Sequence, residues 1–558
     1  MSAGLLEHFE RLAEAPSAIP RLRRLVLDLA VRGKLVAQDP AEEPAKVQLA
    51  ILQAERNRLH QHESLRDRKP VTLATRDRLQ FDFPINWELV IFDQVFSIVS
   101  GVAKGGKQLD KDSVEAPYLR VANVQRGYLD LDVIKTLKVS RFDFERYRLK
   151  HDDILMTEGG DWDKLGRAAI WQCQVPDCIH QNHVFRVRPP SSDISPRWVV
   201  IYVNSQIGRR YFENAAKQTT NLASINMTQL RACPLPLPPL AEQHRIVAKV
   251  DELMGLLDRI EAAQAAREAT RQQLATASLA RLTSATDDTD FQTSADFVLQ
   301  TLPTHTTRRE QIKQLRQTIL NLAVRGRLGT GMGEAGSDER ASTSHELPPR
   351  WRFLALGDLL AEDTRNGYSR RPDDAEDGIP ILRISAGTIR PDGVVAEEEH
   401  KRISGIDDNT RKQYGLKKGD LLACRFNGNK FFVGRLTIFQ DYLSLDPIYP
   451  DKLIRVRLNP QIALPEFIRM AGDSDIVRSS IEQSCATTVG NWGISASNLK
   501  EIHFPLPPLA EQHRIVAKVN ELMTLCDRLD TALAQAEAAR ARLLDAELHA
   551  AVHAAEAA

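Results

Sequence analysis

The chain has 558 residues, enough for roughly three to four domains, so a single compact core is excluded. Lysine plus arginine and aspartate plus glutamate both total 74, and a composition with 42% hydrophobic and 27% charged residues excludes wholesale disorder and a collagen-like structure. No apolar run approaches the length that crosses a bilayer, and the start MSAGLLEHFE lacks the pattern of a secretory signal. We therefore expect a cytoplasmic protein.

The cysteines are few and scattered, which predicts reduced thiols rather than a disulfide framework. They are Cys173, Cys178, Cys233, Cys424, Cys485 and Cys526. A net charge of zero selects no class of partner, so any basic surface for nucleic acid has to be a local one.

In chain order, the first predicted element is a helix at 22–35, LRRLVLDLAVRGKL, which returns as LRQTILNLAVRGRL at 315–328. A second segment, PLPPLAEQHRIVAKV at 236–250, is repeated letter for letter at 505–519. Repetition of this quality indicates a tandem duplication. Each half runs from an LAVRG helix, through a long mixed region, to an AEQHRIVAKV helix.

The mixed regions differ in length and sequence but share an outline. Pro84 to Trp87 corresponds to Pro348 to Trp351, and both regions contain short β-type runs such as YLRVANV, HVFRVRP and KLIRVRL. This pattern predicts two α+β domains with the same fold and different surface residues.

The AEQHRIVAKV segments open long helices. Apolar residues step by four and three from Ile246 to Ile260, the spacing of a coiled-coil seam, and the second copy repeats the seam from Ile515 onward. A single helix over 242–282 would be about 60 Å long. We expect 283–307 to be less regular and 329–344 to be a flexible linker.

Two segments resemble binding sites for a nucleotide or a metal, but neither matches the known motif in full. The loop from Gly101 to Lys107 matches GxxxxGK but continues with Gln108, where a nucleotide-binding loop needs Ser or Thr for magnesium. A loop touching DNA phosphate and an ordinary solvated loop both stay open. The cluster Cys173, Cys178, His180 and His183 has poor zinc spacing and no equivalent in the second copy, so we expect no structural zinc.

A charged, glycine-interrupted loop at 157–167, TEGGDWDKLGR, follows a buried-looking strand. Its counterpart at 423–435, ACRFNGNKFFVGR, has lost the acidic residues and gained Arg and Asn. Catalytic carboxylates would not be lost from one copy, whereas residues that read different bases must differ. A solvated turn remains the alternative for each residue singly.

We find no methyltransferase signature, no Gly-rich cofactor loop after a strand, and no Ser/His/Asp or Cys/His set, so we predict no catalytic site. With its LAVRGKL segment, its duplicated PLPPLAEQHRIVAKV junction and its two unlike mixed regions, the chain resembles the specificity subunit of a type I restriction–modification system. The resemblance covers nearly the whole chain.

The resemblance implies an α+β fold with two α/β target recognition domains separated by long helices that form an antiparallel coiled coil, a pseudo-twofold tandem repeat. The implied boundaries are an N-terminal helical region at 1–83, target recognition domains at 84–240 and 346–508, a central helical repeat region with linker at 241–345, and a C-terminal helical repeat region at 509–558.

The resemblance also implies a function. Each domain reads one half of a bipartite site in double-stranded DNA, and the helices dock two methylation subunits and the restriction subunits. This chain then has no cofactor of its own, because S-adenosylmethionine, ATP and magnesium belong to the partner subunits, and no membrane is involved.

Residue type and loop placement select the candidate DNA contacts. In the first domain they are Lys104, Lys107, Asn123, Gln125, Arg126, Glu158, Asp161, Lys164, Arg167, Asn182 and His183. In the second domain they are Arg365, Arg383, Arg425, Asn427, Asn429, Lys430 and Arg435.

Two other classes of function stay open. A nuclease or nucleotide-dependent enzyme would use Gly101 to Lys107 with the carboxylates Glu158, Asp161 and Asp163. A pure scaffold would use only the helices to assemble other proteins. Divergent domains on a duplicated frame argue against both.

Overall fold

A computed structural model describes most of the chain. The described residues are 13–63, 69–72, 83–103, 112–218, 223–285, 287–328, 347–348, 350–387, 400–440, 447–488 and 490–557. Within them, none of the helices combines the length and the apolar character that a membrane span requires.

The described residues contain helices and strands in both halves, as predicted. The α-helices are α1 (Ala18–Val31), α2 (Ala45–His62), α3 (Phe92–Val95), α4 (Arg141–Tyr147), α5 (Pro196–Asn204), α6 (Gln206–Ala215), α7 (Met227–Arg231), α8 (Leu240–Ser284), α9 (Asp288–His305), α10 (Arg309–Val324), α11 (Asp408–Tyr414), α12 (Pro465–Gly472), α13 (Asp475–Gln483), α14 (Ala496–Lys500) and α15 (Leu509–Ala557).

The chain divides into two compact units. The first unit comprises 1–265 and 537–558, and the second unit comprises 266–536. Each unit contains one set of sheets, which we call the first sheet domain (88–237) and the second sheet domain (352–506). The long helices α8 and α15 each contribute residues to both units.

The first sheet domain contains twelve described strands. They are β1 (Glu88–Ile91), β2 (Ser97–Ser100), β3 (Val114–Leu119), β4 (Lys135–Val139), β5 (Ile154–Thr157), β6 (Gly159–Gly160), β7 (Ala168–Ile170), β8 (Ile179–His180), β9 (Val184–Arg188), β10 (Lys217–Gln218), β11 (Ala223–Ser224) and β12 (Pro234–Leu237). They form sheets in the orders β1-β12, β2-β9-β5-β7, β4-β3-β8 and β10-β11-β6.

The second sheet domain contains eleven described strands. They are β13 (Arg352–Ala355), β14 (Leu360–Asn366), β15 (Ile379–Leu382), β16 (His400–Ile403), β17 (Leu421–Cys424), β18 (Phe426–Asn427), β19 (Leu436–Ile438), β20 (Leu453–Leu458), β21 (Ala486–Thr488), β22 (Asn491–Gly493) and β23 (His503–Leu506). Their sheet orders are β13-β23, β14-β20-β17-β19, β15-β16 and β18-β22-β21.

The two sheet domains share the arrangement of their main sheets, although the three-stranded sheet β4-β3-β8 corresponds to the two-stranded sheet β15-β16. The central antiparallel sheet β2-β9-β5-β7 corresponds strand for strand to β14-β20-β17-β19, and the pair β1-β12 corresponds to β13-β23. The runs HVFRVRP and KLIRVRL contain the central strands β9 and β20. All residues of β9 are buried, and all but one of the residues of β20 are buried. The predicted α+β fold, with two sheet-rich domains on a duplicated frame, is confirmed.

The LAVRG segment ends each short helix in the same way. Gly33, with φ of +68°, follows α1, and Gly326, with φ of +75°, follows α10. A Cβ atom on Gly33 would lie 2.6 Å from Pro84 Cγ and 3.0 Å from the ring of Trp87. Glycine is required here both by the left-handed backbone and by the proline and tryptophan that pack directly on it.

The repeated AEQ segment fastens each long helix to its sheet domain. The side chain of Gln243 is fully buried, accepts a hydrogen bond from the backbone N–H of Ser195 at 2.9 Å and donates one to Pro238 O at 2.8 Å. Gln512 does the same with Leu464 N–H at 2.8 Å and Pro507 O at 2.9 Å. The identity of the two segments therefore has a structural basis.

Each LAVRG helix also pairs with the long helix of its own unit. Arg23 of α1 donates to Asp258 Oδ1 of α8 at 2.6 Å, and Arg316 of α10 donates to Asp527 Oδ1 of α15 at 2.6 Å. In the first unit, Leu548 near the end of α15 packs in the apolar cluster that contains Leu257 of α8. In the first unit, the seam residue Leu257 of α8 and the end of α15 therefore belong to one apolar cluster.

Two expectations about the region between the halves have different outcomes. The expectation of irregular structure at 283–307 is wrong, because α9 occupies Asp288–His305. The Asp287 side chain caps α9 by accepting from Asp290 N–H at 2.8 Å, and Ser294 and Val298 face inward at helical spacing despite the polar composition. The predicted linker at 329–344 lies outside the described residues.

A cluster of ion pairs lies on the central sheet of each domain, and in the first domain it is buried. In the first sheet domain, Arg186 and Arg188 on β9 pair with Glu63, and Arg188 also pairs with the fully buried Asp153. Burial alone raises the pKa of Glu63, but the positive charges of Arg186 and Arg188 outweigh burial, so that the pKa is lowered. Glu63 therefore stabilises the fold in its charged form.

We predict that Gly33→Ala destabilises the first unit by more than about 1 kcal/mol, because alanine meets Pro84 and is strained at positive φ. Gly255 in α8 is the matched control, since among the described residues a Cβ atom there would meet no heavy atom within 4 Å apart from its own stretch of helix. Gly255→Ala should stabilise by up to about 1 kcal/mol. Urea unfolding followed by tryptophan fluorescence measures both, and equal effects would contradict the assignment.

We predict that Glu63→Gln lowers the free energy of unfolding by about 3 kcal/mol at neutral pH, since it leaves two buried arginines short of a counter-ion. Because the folded pKa of Glu63 is below its unfolded value, its contribution is complete above the unfolded pKa and is lost as pH falls through the folded pKa. Unfolding at pH 7, 5 and 3 should show the difference from wild type narrowing. Glu145→Gln, at an exposed position of α4, should show no such difference.

Candidate nucleic-acid interface

Each sheet domain contains a short 3₁₀ turn within the loop that is charged in the first domain and basic in the second. We call Trp162–Lys164, which follows β5 and β6, the first turn, and Lys430–Phe432, which follows β17 and β18, the second turn. These turns lie within the loops at 157–167 and 423–435, which are acidic in the first half and rich in Arg and Asn in the second. They are therefore the natural centres of a candidate interface.

The first turn is held by its own capping residue and by a glycine. Asp161 accepts a hydrogen bond from the backbone N–H of Lys164 at 3.2 Å, and Gly166, with φ of +61°, closes the turn against the ring of Phe212. The backbone of Thr157 pairs with that of Arg167 at 3.0 Å. The turn is thus fixed at both ends to the body of the domain.

The second turn is held in the same manner. Asn429 accepts from the backbone N–H of Phe431 at 3.0 Å, and Gly434, with φ of +69°, closes against Ile481. The N–H of Gly434 donates to Cys424 O at 2.7 Å. The two domains therefore present different side chains from matching backbone frames.

Around the first turn, charged side chains are paired with one another. Arg167 pairs with Asp163 and donates to Gln125 Oε1 at 2.7 Å, and Arg126 donates to the backbone oxygen of Asp163 at 2.7 Å. The hydrogen bond from Arg167 lowers the pKa of Asp163. Burial and the nearby charge of Arg209 lower the pKa of Arg126 to about 10, so Arg126 remains protonated at neutral pH.

Two further pairs extend this charged surface. Lys164 Nζ lies 2.6 Å from Asp161 Oδ2, and this contact lowers the pKa of Asp161. His183 Nδ1 lies 2.6 Å from Glu158 Oε2, and Asn182 contacts the other ring nitrogen of His183 at 3.4 Å. The first sheet domain thus presents carboxylates, a lysine and an imidazole side by side, which can both donate to and accept from base edges.

Around the second turn, cations stack on aromatic rings. The Arg425 guanidinium lies 4.7 Å from the ring of Phe426, and Lys452 Nζ lies 5.0 Å from the same ring. Lys430 Nζ lies 4.6 Å from the ring of Trp492. Basic groups interleaved with aromatic rings attract phosphate and pack against bases, so this surface suits DNA.

Most of the residues that the sequence selects come together at these two surfaces, but several do not. Asn123 is 3% exposed, and its amide donates to Asp130 O and Val133 O, so its side chain holds a turn rather than facing a ligand. Arg365 lies over the ring of Tyr414 at 5.9 Å, and Arg383 is exposed after β15.

Lys104 and Lys107 lie outside the described residues, as does most of the Gly101–Lys107 loop. Arg435 lies 5.6 Å from the Phe431 ring and 3.4 Å from Asp473, so it helps to hold the second turn. Arg167 has the corresponding position and a similar role in the first.

Sequence reasoning missed the aromatic members of both surfaces. Trp162 is a large exposed ring within the first turn, and Trp492 and Phe426 lie under the cations of the second. The signal that could have found them is the alternation of aromatic and basic letters in GNKFF and in the NWG strand β22.

Within the Cys173, Cys178, His180 and His183 cluster, Cys178 and His180 are buried in the core, whereas Cys173 and His183 are exposed. Burial, reinforced by the charge of Arg186, lowers the pKa of His180 to about 3, and its Nδ1 contacts Val184 O at 2.7 Å. Burial raises the pKa of the Cys178 thiol to about 12. Within the described ranges, no three His, Cys, Asp or Glu side chains are grouped as metal ligands.

Comparison with known proteins gives a consistent result. Residues 84–267 match the family model described as "Type I restriction modification DNA specificity domain". The chain is 25% identical to the EcoEI specificity subunit of Escherichia coli over 96% of this chain and 94% of that protein, and 26% identical to the EcoKI specificity subunit of Escherichia coli strain K12 over 80% and 84%.

Among solved structures, the HsdS subunit from Thermoanaerobacter tengcongensis aligns with 84% of this chain and 97% of its own, with 17% identity and a TM-score of 0.43.

Proposed function

We propose that this chain, which belongs to the family of type I restriction–modification specificity subunits, recognises DNA for such a system, each sheet domain reading one half of a bipartite site. The chain would select the sequence, and its partners would carry out methylation and cleavage. The proposal assigns target recognition to the two sheet domains and assembly to the helices.

One observation carries the proposal. The two sheet domains share the arrangement of their main sheets, their turn frames and the glycines that close the turns, while the side chains presented by those turns differ completely: Trp-Asp-Lys in one and Lys-Phe-Phe in the other. A common reaction would require common groups at equivalent positions. Two different DNA half-sites require the reverse, a common scaffold with different donors, acceptors and apolar contacts.

We expect no catalysis by this chain alone and no cofactor of its own. S-adenosylmethionine, ATP and magnesium would bind to partner subunits. The nuclease alternative would use Glu158, Asp161 and Asp163, but Lys164 pairs with Asp161, Arg167 with Asp163 and His183 with Glu158. Carboxylates committed to these pairs are better suited to shaping a contact surface than to holding a metal.

The partners follow from the duplicated helices. The identical segment AEQHRIVAKV opens α8 and α15, and exposed Lys249–Glu252 and Lys518–Glu521 pairs occupy equivalent places on them. Two equal surfaces suit two copies of one partner. We assign them to two methylation subunits, with the restriction subunits joining the assembly.

The function is tested by mapping methylated adenines in DNA from cells that carry this protein with its modification partner and from cells that lack only this protein. Methylation at a split motif that disappears with the protein is the expected result. Unchanged methylation would contradict the proposal. The purified chain alone should neither cut DNA nor turn over nucleotide, and either activity would favour the enzyme alternative.

We predict that Lys164→Ala and Arg425→Ala each change recognition of one half-site only, with a loss of about 1–3 kcal/mol in binding or a relaxed preference there. Lys164 lies in the first turn, and Arg425 lies over Phe426 beside the second. Binding to duplexes altered in one half-site at a time provides the measurement. Lys412→Ala, at an exposed position of α11, is the control and should bind as wild type.

Equal loss at both half-sites for either variant would rule out two independent recognition domains. Loss with Lys412→Ala of the same size would show that the effect is one of general charge rather than of position.

A further inference from the structure

The two turns share one frame although they share no displayed residue. Each begins at a side-chain oxygen, from Asp161 or Asn429, that accepts a backbone N–H of the turn. Each ends at a glycine with positive φ, Gly166 or Gly434, followed by an arginine. A frame of this kind is defined by the backbone and its cap, so it tolerates any residue at the three positions in between.

The closing glycine clamps each turn onto a helix. A Cβ atom at Gly166 would lie 2.7 Å from the ring of Phe212 in α6, and one at Gly434 would lie 2.5 Å from Ile481 Cγ2 in α13. The backbone at the end of each turn therefore packs directly against a helix of its own domain. This contact positions the three residues of the turn on the surface of the domain.

What each turn presents includes one large exposed ring. Trp162 is 47% exposed and Phe431 is 50% exposed. By contrast, four of the other five tryptophans of the chain, Trp87, Trp171, Trp198 and Trp351, are at most 6% exposed. Trp162 lies outside the core and lacks the stabilisation that burial gives to these four tryptophans. An exposed large ring of this kind favours a role in contact with a ligand.

Cations beside the rings indicate the chemistry of that ligand. Lys164 lies two residues after Trp162 in the first turn, and Lys430 lies directly before Phe431 in the second. The cations suit a phosphate backbone, to which they bind without regard to sequence. The rings offer no charge, so their part in a DNA contact is with the apolar edges and faces of bases, such as the methyl group of thymine.

We infer that Trp162 and Phe431 are specificity-determining residues, each of which places its ring against a base of the half-site that its own domain reads. The inference rests on the proposed function and deepens it. It separates the turn residues that hold the frame, such as Asp161 and Asn429, from those that read DNA.

The test uses the full chain assembled with its methylation subunits and duplex libraries in which one half-site is randomised at a time. Trp162→Ala should relax the preference at one or two adjacent positions of one half-site by about tenfold, the effect of losing one good base contact. Phe431→Ala should do the same in the other half-site. All remaining positions should be selected as by wild type.

Phe142 provides the matched control, because it is a 71% exposed ring of the same sheet domain located on α4. Phe142→Ala should select the wild-type motif. Trp162→Phe keeps a ring in the first turn and should retain most of the preference, which shows that the alanine variant loses a contact rather than the fold.

Several results would overturn the inference. They are an unchanged motif with both alanine variants, a uniform loss over all positions, or an equal loss with Phe142→Ala. A Trp162→Ala complex that selects DNA normally but loses a methylation subunit would make the ring a protein contact instead. If the wild-type complex selects no motif at all, the proposed function itself fails.

Discussion

The close packing of a proline and a tryptophan on the glycine that ends a short helix is the contact on which the rest of each half depends. At Gly33, the rings of Pro84 and Trp87 lie where a Cβ atom would be, and the indole N–H of Trp87 donates to Glu242 Oε2 at 2.8 Å. Three separated segments, the LAVRG helix, the start of the sheet domain and the start of the long helix, are thereby joined at one point. The same contact recurs at Gly326 with Pro348 and Trp351, although the buried Trp351 Nε1 has no hydrogen-bond partner in the described part of the chain.

Because this junction is built from backbone geometry, ring packing and a few buried amides, it is insensitive to what the sheet domain displays at its far loops. Gln243 and Gln512 satisfy backbone groups inside the domains, and no member of the junction belongs to the turns at 162–164 and 430–432. A chain organised in this way can alter its displayed side chains with little cost to folding. The repeated sequence of the junction and the different sequences of the turns therefore have the same physical cause, which is that the fold depends on the junction and not on the turns.

The sequence predicted the parts of this structure that have a strong period or an exact repeat. The seam from Ile246 to Ile260 and the strands β9 and β20 were recognisable because burial imposes a spacing on apolar residues. Helix α9 was missed because its inward face is carried by residues such as Ser294 and Val298 among many threonines and aspartates. Tertiary packing supplied the stabilisation that composition did not reveal.

The candidate interface was predictable in location but not in detail. Comparison of the two halves identified the diverging loops, and residue type then selected polar side chains within them. Residue type cannot distinguish an amide that holds a turn, as Asn123 does, from one that faces solvent. It also led us to omit rings such as Trp162, because aromatic residues usually belong to the core. That distinction depends on exposure, which only the folded chain determines.

The ion clusters make the two sheet domains unequal as units that could be exchanged between proteins. In the first, Glu63 pairs with both Arg186 and Arg188 and lies at the C-terminal end of α2, outside the sheet domain, whereas Asp153 inside the domain pairs with Arg188. In the second, the corresponding arginines, Arg455 and Arg457, pair with Glu362 of the domain's own strand β14. Recombination that exchanges domains between related proteins can move the second domain with its acid, whereas the first must be moved together with its preceding helix. Otherwise the buried Arg186 loses its carboxylate partner and Arg188 keeps only Asp153.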